Sequence, residues 1–337
     1  MAERRPAPAS PTIEPICPTR AAVIGCGVIG AAWTARLRLH GVAVRVYDPS
    51  RDAPRILDEV MANAVAAWED LGLSTEPLGE LVIANSIADA VEGAELVQES
   101  VPEIIDIKRS TLEQIDTHAT ATAIIGSSTS GFKCSDMAKT LRHPERLVVA
   151  HPFNPVYLLP IVEIVGGEHT SAASIDRAMA LYTGLSMKAL HIKVEIDAHI
   201  ADRLLEAVWR ESLWLIKDGV ATTEQIDDVI RYGFGLRWAQ MGLFETYRIA
   251  GGEGGFRHFI EQFGPTLSLP WTKLMDTPEL DDDLVAKLET QSDDQSGAYT
   301  IRELERIRDR NLAAMMKALE SNDWGAGQTV AAMRKRG

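Results

Sequence analysis

Two titratable side chains, His151 and Glu163, stand twelve residues apart in apolar surroundings. His151 follows the run RLVVA (146–150) and precedes a proline, while Glu163 interrupts IVEIV (161–165). An imidazole changes protonation near neutral pH and can take a proton from a hydroxyl. A carboxylate on its other ring nitrogen fixes the tautomer and favours the imidazolium formed during reaction. A base so placed contributes about 10²–10⁴-fold in rate. Upstream, GSSTSG (126–131) follows another apolar run and offers small hydroxyls, Ser130 among them, to hold the reacting oxygen. Together these residue types permit proton removal from an alcohol, with a hydride leaving to an acceptor. Each also has a plainer reading. A histidine beside proline can cap a turn, a glutamate in an apolar run can sit on an edge strand, and serine clusters are mostly turns.

The acceptor has its own signal. GCGVIG, comprising Gly25, Cys26, Gly27, Val28, Ile29 and Gly30, follows the first apolar run and opens a helical pattern. Gly25 permits the tight turn, Gly27 lets backbone approach a pyrophosphate, and Gly30 lets helix and strand pack closely. The helix N-terminus offers free N–H groups to the phosphates. Asp48 ends the second strand 18 residues after Gly30, where a carboxylate bonds ribose hydroxyls and repels a 2′-phosphate. The expected cofactor is NAD rather than NADP, with the neighbouring Arg51 as a weak counter-signal.

The elements that must position these groups fall into two halves. AAVIG (21–25), VAVRVY (42–47), LVIA (81–84), ELVQ (95–98), TAIIG (122–126), RLVVA, IVEIV and MKALHIKV (187–194) read as strands. Helical patterns between the early strands imply right-handed βαβ units. From about 199 the period changes to helical: a face from Ile200 to Ile216, a capping box at TTEQ (222–225), and helices over 255–263, 279–291 and 300–320. SDDQSG (292–297) reads as a loop. The fold class is therefore α/β: a Rossmann-like, doubly wound, mostly parallel sheet, then an all-helical C-terminal domain. The expected limits are a disordered arm over 1–18, the NAD-binding domain over 19–197, the helical domain over 198–325 and a flexible tail over 326–337.

Bulk properties exclude several partners. A net charge of −14 argues against nucleic acid and anionic membranes. No run approaches the roughly 20 apolar residues of a membrane span, and the start of the chain has no apolar signal core. Three cysteines match no disulfide or metal spacing, so no metal is expected and the cytoplasm is the default.

Over about residues 20–320 the chain resembles the 3-hydroxyacyl-CoA dehydrogenase family. The resemblance runs through GCGVIG, ESVPEIIDIK (99–108), SSTSG (127–131), HPFNPVYLLPIVEIVGG (151–167) and ADRLLEA (201–207). It implies a catalytic His151 with Glu163 as partner and Ser130 21 residues before the histidine. It also implies cofactor contacts at Glu103 and Lys108, Asn154 near the substrate, and a homodimer formed through the helical domain. The longer strings DGVATTEQIDD, GLRWAQMG and AGGEGGFRHFIEQFGP are closest to the branch acting on L-carnitine. One departure from the acyl-CoA enzymes is Asp202, where they carry asparagine. An ionised aspartate only accepts hydrogen bonds, which suits a cationic head better than a thioester carbonyl. Its plainer role is to complement the dipole of a helix's first turn. A trimethylammonium group needs aromatic faces, and Phe234 and Trp238, in the irregular stretch GFGLRW, rank above Trp209, Trp214, Phe244 and Tyr247. Lys133, Arg237 and Arg248 are open candidates for the carboxylate. Alternatives are L-gulonate or a short 3-hydroxyacyl-CoA as substrate, or an NAD-binding structural or sensor protein.

Overall fold

The computed structural model describes residues 13–273, 281–296 and 298–335; the arm expected over 1–18 lies outside them up to residue 12. The chain forms two compact units. One runs through Ile200 and takes back Asp309–Lys317 and the segment from Thr329 onward. The other comprises Ala201–Arg308 and Ala318–Gln328.

In the first unit all eight expected strands are present: β1 (Arg20–Ile24), β2 (Ala43–Tyr47), β3 (Leu81–Ile83), β4 (Leu96–Glu99), β5 (Ile124–Ser127), β6 (Leu147–Pro152), β7 (Ile161–Gly166) and β8 (Lys188–Ile192). They make one sheet in the order β3-β2-β1-β4-β5-β6-β7-β8. The central strands are Val- and Ile-rich and buried along their length, as a sheet covered on both faces demands. One face packs helix Ile105–His118, whose Leu112 and Ile115 meet Ile24, Val97, Ile125 and Val149. Helix Val28–Leu39 buries Trp33 and Leu37. Its Arg36 guanidinium is fully buried yet donates to the carbonyls of Leu185, Val156 and Ser186. Burial lowers that guanidinium to about 9.

Every pairing is parallel except β6 with β7. The cause is chain length: only residues 153–160 join those strands, and a parallel return needs roughly a dozen or more. The antiparallel register sets His151 opposite Glu163. The strand order reverses between β1 and β4, and ligands of open α/β sheets bind beyond the carboxyl ends at such a point.

The second unit is helical. Helix Ala201–Lys217 is followed by Thr223–Val229, whose capping box joins Thr222 and Gln225. Gly235–Ala250, Gly255–Phe263 and Asp282–Ser296 follow. Three expectations are corrected. SDDQSG is not a loop: the helix continues to Ser296, because no glycine or proline stops it before Gly297. The expected tail contains helix Gly327–Arg334, with Val330 and Met333, three apart on one face, both buried. Finally, helix Ile301–Glu320 does not belong wholly to the helical unit. Its Asp309 accepts a hydrogen bond from the Tyr157 hydroxyl, and residues 309–317 join the first unit.

Candidate active site

His151 and Glu163 meet as cross-strand neighbours at the end of β6. The Nδ1 of His151 lies 2.9 Å from Glu163 Oε2, and both side chains are buried. A carboxylate can only accept, so Nδ1–H donates, and in the neutral ring the proton-accepting nitrogen is Nε2. The imidazole packs against two rings, Phe153 at 5.7 Å and His199 at 5.4 Å between centroids. Glu163 Oε1 accepts the Ile200 N–H at 3.2 Å, so each carboxylate oxygen has its own donor.

The serine loop leaves the sheet at the same end. β5 and β6 run parallel with Ser127 beside Val149, so Ser130, just past the carboxyl end of β5, and His151, near the carboxyl end of β6, lie at the same edge of the sheet. Ser130 is exposed. Glu103 holds the loop from one side: it accepts from the Thr129 hydroxyl, from Ser130 N–H at 3.2 Å and from Gly131 N–H at 3.1 Å. Partial burial raises the Glu103 carboxyl, but the Thr129 hydrogen bond and the Lys108 charge outweigh it and hold it below the ordinary glutamate range. Lys108 is buried, and its ammonium meets Glu99 at 3.0 Å, Glu103 at 3.2 Å and the Val101 carbonyl at 3.3 Å. Its donors are shared inside the fold. Glu99, fully buried, also accepts from Ser127 Oγ.

A third segment closes around the loop. Ala198 and His199 both adopt left-handed backbone, with φ of 61° and 51°. For non-glycine residues this costs about 1–2 kcal/mol each. Three tethers hold the conformation. Ala198 N–H donates to Gly131 O at 3.3 Å, His199 Nε2 meets Thr129 O at 3.2 Å, and Ile200 N–H reaches Glu163.

The glycine turn differs at each position in a way that fits a dinucleotide. Gly25 has φ +98°, and a Cβ there would lie 2.6 Å from Ser100 O. A Cβ on Gly30 would lie 1.8 Å from Gly25 O, whereas at Gly27 nothing comes within 4 Å. The turn is thus closed against its own fold and open on the side where a pyrophosphate would lie. Helix Val28–Leu39 starts there with no acid in its first turn, and Val28 is exposed. Asp48 accepts from Cys26 N–H at 2.6 Å and Ser50 N–H at 2.7 Å, which fixes its carboxylate beside the turn. Burial and Asp48 push the Cys26 thiol up to about 12, so it stays a thiol.

Asn154 is exposed just past β6. In the helical unit, Asp202 lies half-buried in the first turn of helix Ala201–Lys217. Phe234 and Trp238 pack with centroids 4.4 Å apart, and Trp238 stays exposed. The first unit therefore gathers Ser130, His151, Glu163 and Glu103, while Asp202, Phe234 and Trp238 belong to the second. The sequence reading missed Glu99, Thr129 and His199. Glu99 stands nine residues before Lys108, a visible charge pair. The other two are revealed only by contacts between distant segments.

Comparison with known proteins gives a consistent picture. Residues 20–196 match the profile of the 3-hydroxyacyl-CoA dehydrogenase NAD-binding domain, and residues 199–300 that of its C-terminal domain. An L-carnitine dehydrogenase/betainyl-CoA thioesterase of Agrobacterium fabrum is 60% identical over 316 residues, which cover 94% of this chain and 64% of that protein. An L-carnitine dehydrogenase of Mesorhizobium japonicum is 56% identical, covering 94% of this chain and 87% of that one. A solved 5-formyl-3-hydroxy-2-methylpyridine 4-carboxylic acid 5-dehydrogenase superposes with a TM-score of 0.75 at 27% identity, covering 90% of this chain and 98% of that chain.

Proposed function

The chain belongs to the 3-hydroxyacyl-CoA dehydrogenase family, and from that premise we propose that it oxidises L-carnitine to 3-dehydrocarnitine with NAD. The observation that carries the chemistry is the buried His151–Glu163 pair, 2.9 Å apart at the carboxyl end of the sheet. The substrate is supported by relatives named for L-carnitine at 56–60% identity.

The open Gly27 face, the N-terminus of helix Val28–Leu39 and Asp48 fit NAD. Gly25, Cys26, Val28, Ile29 and Gly30 shape the turn around it. When bound, NAD supplies the hydride acceptor. His151 Nε2 takes the hydroxyl proton, and Glu163 stabilises the charge that develops on the ring. The Ser130 hydroxyl donates to the reacting oxygen, which becomes a carbonyl. Lys108 acts through Glu103, and both keep the serine loop in place. Asn154, exposed just past β6, serves as a substrate contact. In the second unit, the aromatic faces of Phe234 and Trp238 have the chemistry that suits a trimethylammonium group, at about 0.5–2 kcal/mol per contact. Asp202 adds negative potential for the same group. The free cysteines, two of them buried, suit a reducing cytoplasm. The exposed Leu204, Leu205 and Trp209 suit pairing of two copies through the helical unit, which light scattering on an eluting gel-filtration peak would read as twice the chain mass.

The test is NADH absorbance with L-carnitine, L-gulonate and 3-hydroxybutyryl-CoA side by side. Carnitine should be turned over with the highest kcat/KM, and His151→Ala should lower kcat at least about 10²-fold with the fold intact. Preference for either rival would overturn the substrate, and near-normal turnover by His151→Ala would overturn the mechanism.

A further inference from the structure

We propose that His199 is a positioning residue for this reaction: it tethers the serine loop and sets that loop's distance from the base. The inference deepens the proposed function and takes the roles of His151 and Ser130 from it.

His199 is buried, and its ring meets the Thr129 carbonyl and the His151 ring. Nε2 lies 3.2 Å from the Thr129 carbonyl. A carbonyl only accepts, so this nitrogen carries a proton and donates. Thr129 immediately precedes Ser130. Glu103 also holds the loop, through the Thr129 hydroxyl and the Ser130 and Gly131 N–H groups. The loop is thus gripped by two segments, with His199 and the Ala198 N–H on Gly131 O forming the second grip.

The same ring packs against the base. The His199 and His151 centroids are 5.4 Å apart with planes inclined at 46°. Phe153, at 5.7 Å between centroids, also packs against the His151 ring. Of these two, only His199 also holds the serine loop. Its neighbour Ile200 donates to Glu163, so one short strained segment touches the base, the partner of the base and the loop.

An apolar ring would fill the same volume, so the tether is what separates positioning from packing. The experiment compares His199→Phe, which keeps an aromatic ring without the donor, with His199→Gln, which returns an N–H of similar reach. Hydrogen exchange of the peptide spanning 128–132 reads the loop directly and needs no turnover. Steady-state kinetics with L-carnitine and NAD read the reaction. In His199→Phe the loop amides should exchange about tenfold faster and kcat should fall by about tenfold, with KM for NAD unchanged; His199→Gln should recover most of both. Where His199→Phe does not fold by circular dichroism, His199→Asn, polar but too short to reach Thr129, replaces it. Wild-type exchange in the donor-less variant, or faster exchange with undiminished kcat, overturns the inference. Absence of carnitine turnover by the wild type would defeat the substrate reading, and the exchange measurement would still decide whether His199 holds the loop.

Discussion

Replacing Glu163 with glutamine tests the pair at its most informative point. The carboxylate accepts two donors, His151 Nδ1–H on Oε2 and Ile200 N–H on Oε1. Glutamine has one oxygen and one NH₂ group, so it can satisfy only one of them. If the oxygen turns to His151, the ring keeps its tautomer but loses the neighbouring negative charge. A charge-assisted hydrogen bond is worth about 1.5–3 kcal/mol, which sets a fall in kcat of about 10- to 150-fold. The part-buried Ile200 N–H then faces an NH₂ group, at a cost near the low end of about 1–3 kcal/mol. For a unit of this size each kcal/mol lowers Tm by about 2–4 °C. If the amide turns the other way, Nδ1–H loses its acceptor and the fall in kcat is larger. KM for NAD should not move, because the glycine turn lies at β1 and β2. Initial rates of NADH formation and thermal unfolding by circular dichroism measure both effects. A Glu163→Gln variant with kcat within about threefold of wild type and unchanged Tm would refute the two-donor reasoning.

The glycine turn separates cofactor binding from folding: Gly27→Ala should keep wild-type Tm and weaken NAD binding about tenfold or more, since nothing in the protein lies within 4 Å of the added methyl. Gly30→Ala, whose methyl would lie 1.8 Å from Gly25 O, should lower Tm as well, and equal Tm values for the two variants by calorimetry would refute this. Asp202→Asn should cost L-carnitine turnover more than turnover of an uncharged 3-hydroxy acid, and equal losses in kcat/KM would remove aspartate from recognition of the cation. Glu103 is held below the ordinary carboxyl range, so its contribution to stability is present above the unfolded value of about 4.3 and is lost as pH falls through the lower folded value. The gap in urea-unfolding free energy between wild type and Glu103→Gln should therefore be widest at neutral pH and close on acidification; a gap independent of pH would contradict the role given to Glu103.

The parts of this molecule legible in sequence are those fixed by local patterns. Eight apolar runs form eight strands, buried through the middle of the sheet and more exposed at the edge strands β3 and β8, and the glycine turn is legible because backbone geometry at Gly25 and packing at Gly30 admit no side chain. The His151–Glu163 contact sits at the limit of legibility. Twelve residues of separation become a direct contact only because an eight-residue connection forces β7 to run back along β6, so that the two residues land opposite each other. The groups that support the site follow no such rule. His199 is 70 residues from Thr129 in the chain, and nothing in HIADR foretells that its ring will cross to the serine loop. Glu99 reads as an ordinary strand-end acid, yet it is fully buried against Lys108 and Ser127. Removing one partner from such a buried pair costs about 3–5 kcal/mol, so Glu99 and Lys108 are needed whether or not either meets a ligand. The helix ending at Ser296 shows the converse failure. By composition the polar run reads as a loop, yet the backbone meets no residue able to stop the helix before Gly297. Chemistry-bearing residues stand out in this chain because their types are unusual for their surroundings. Their supports are ordinary residue types in ordinary places, and only the fold makes them act together.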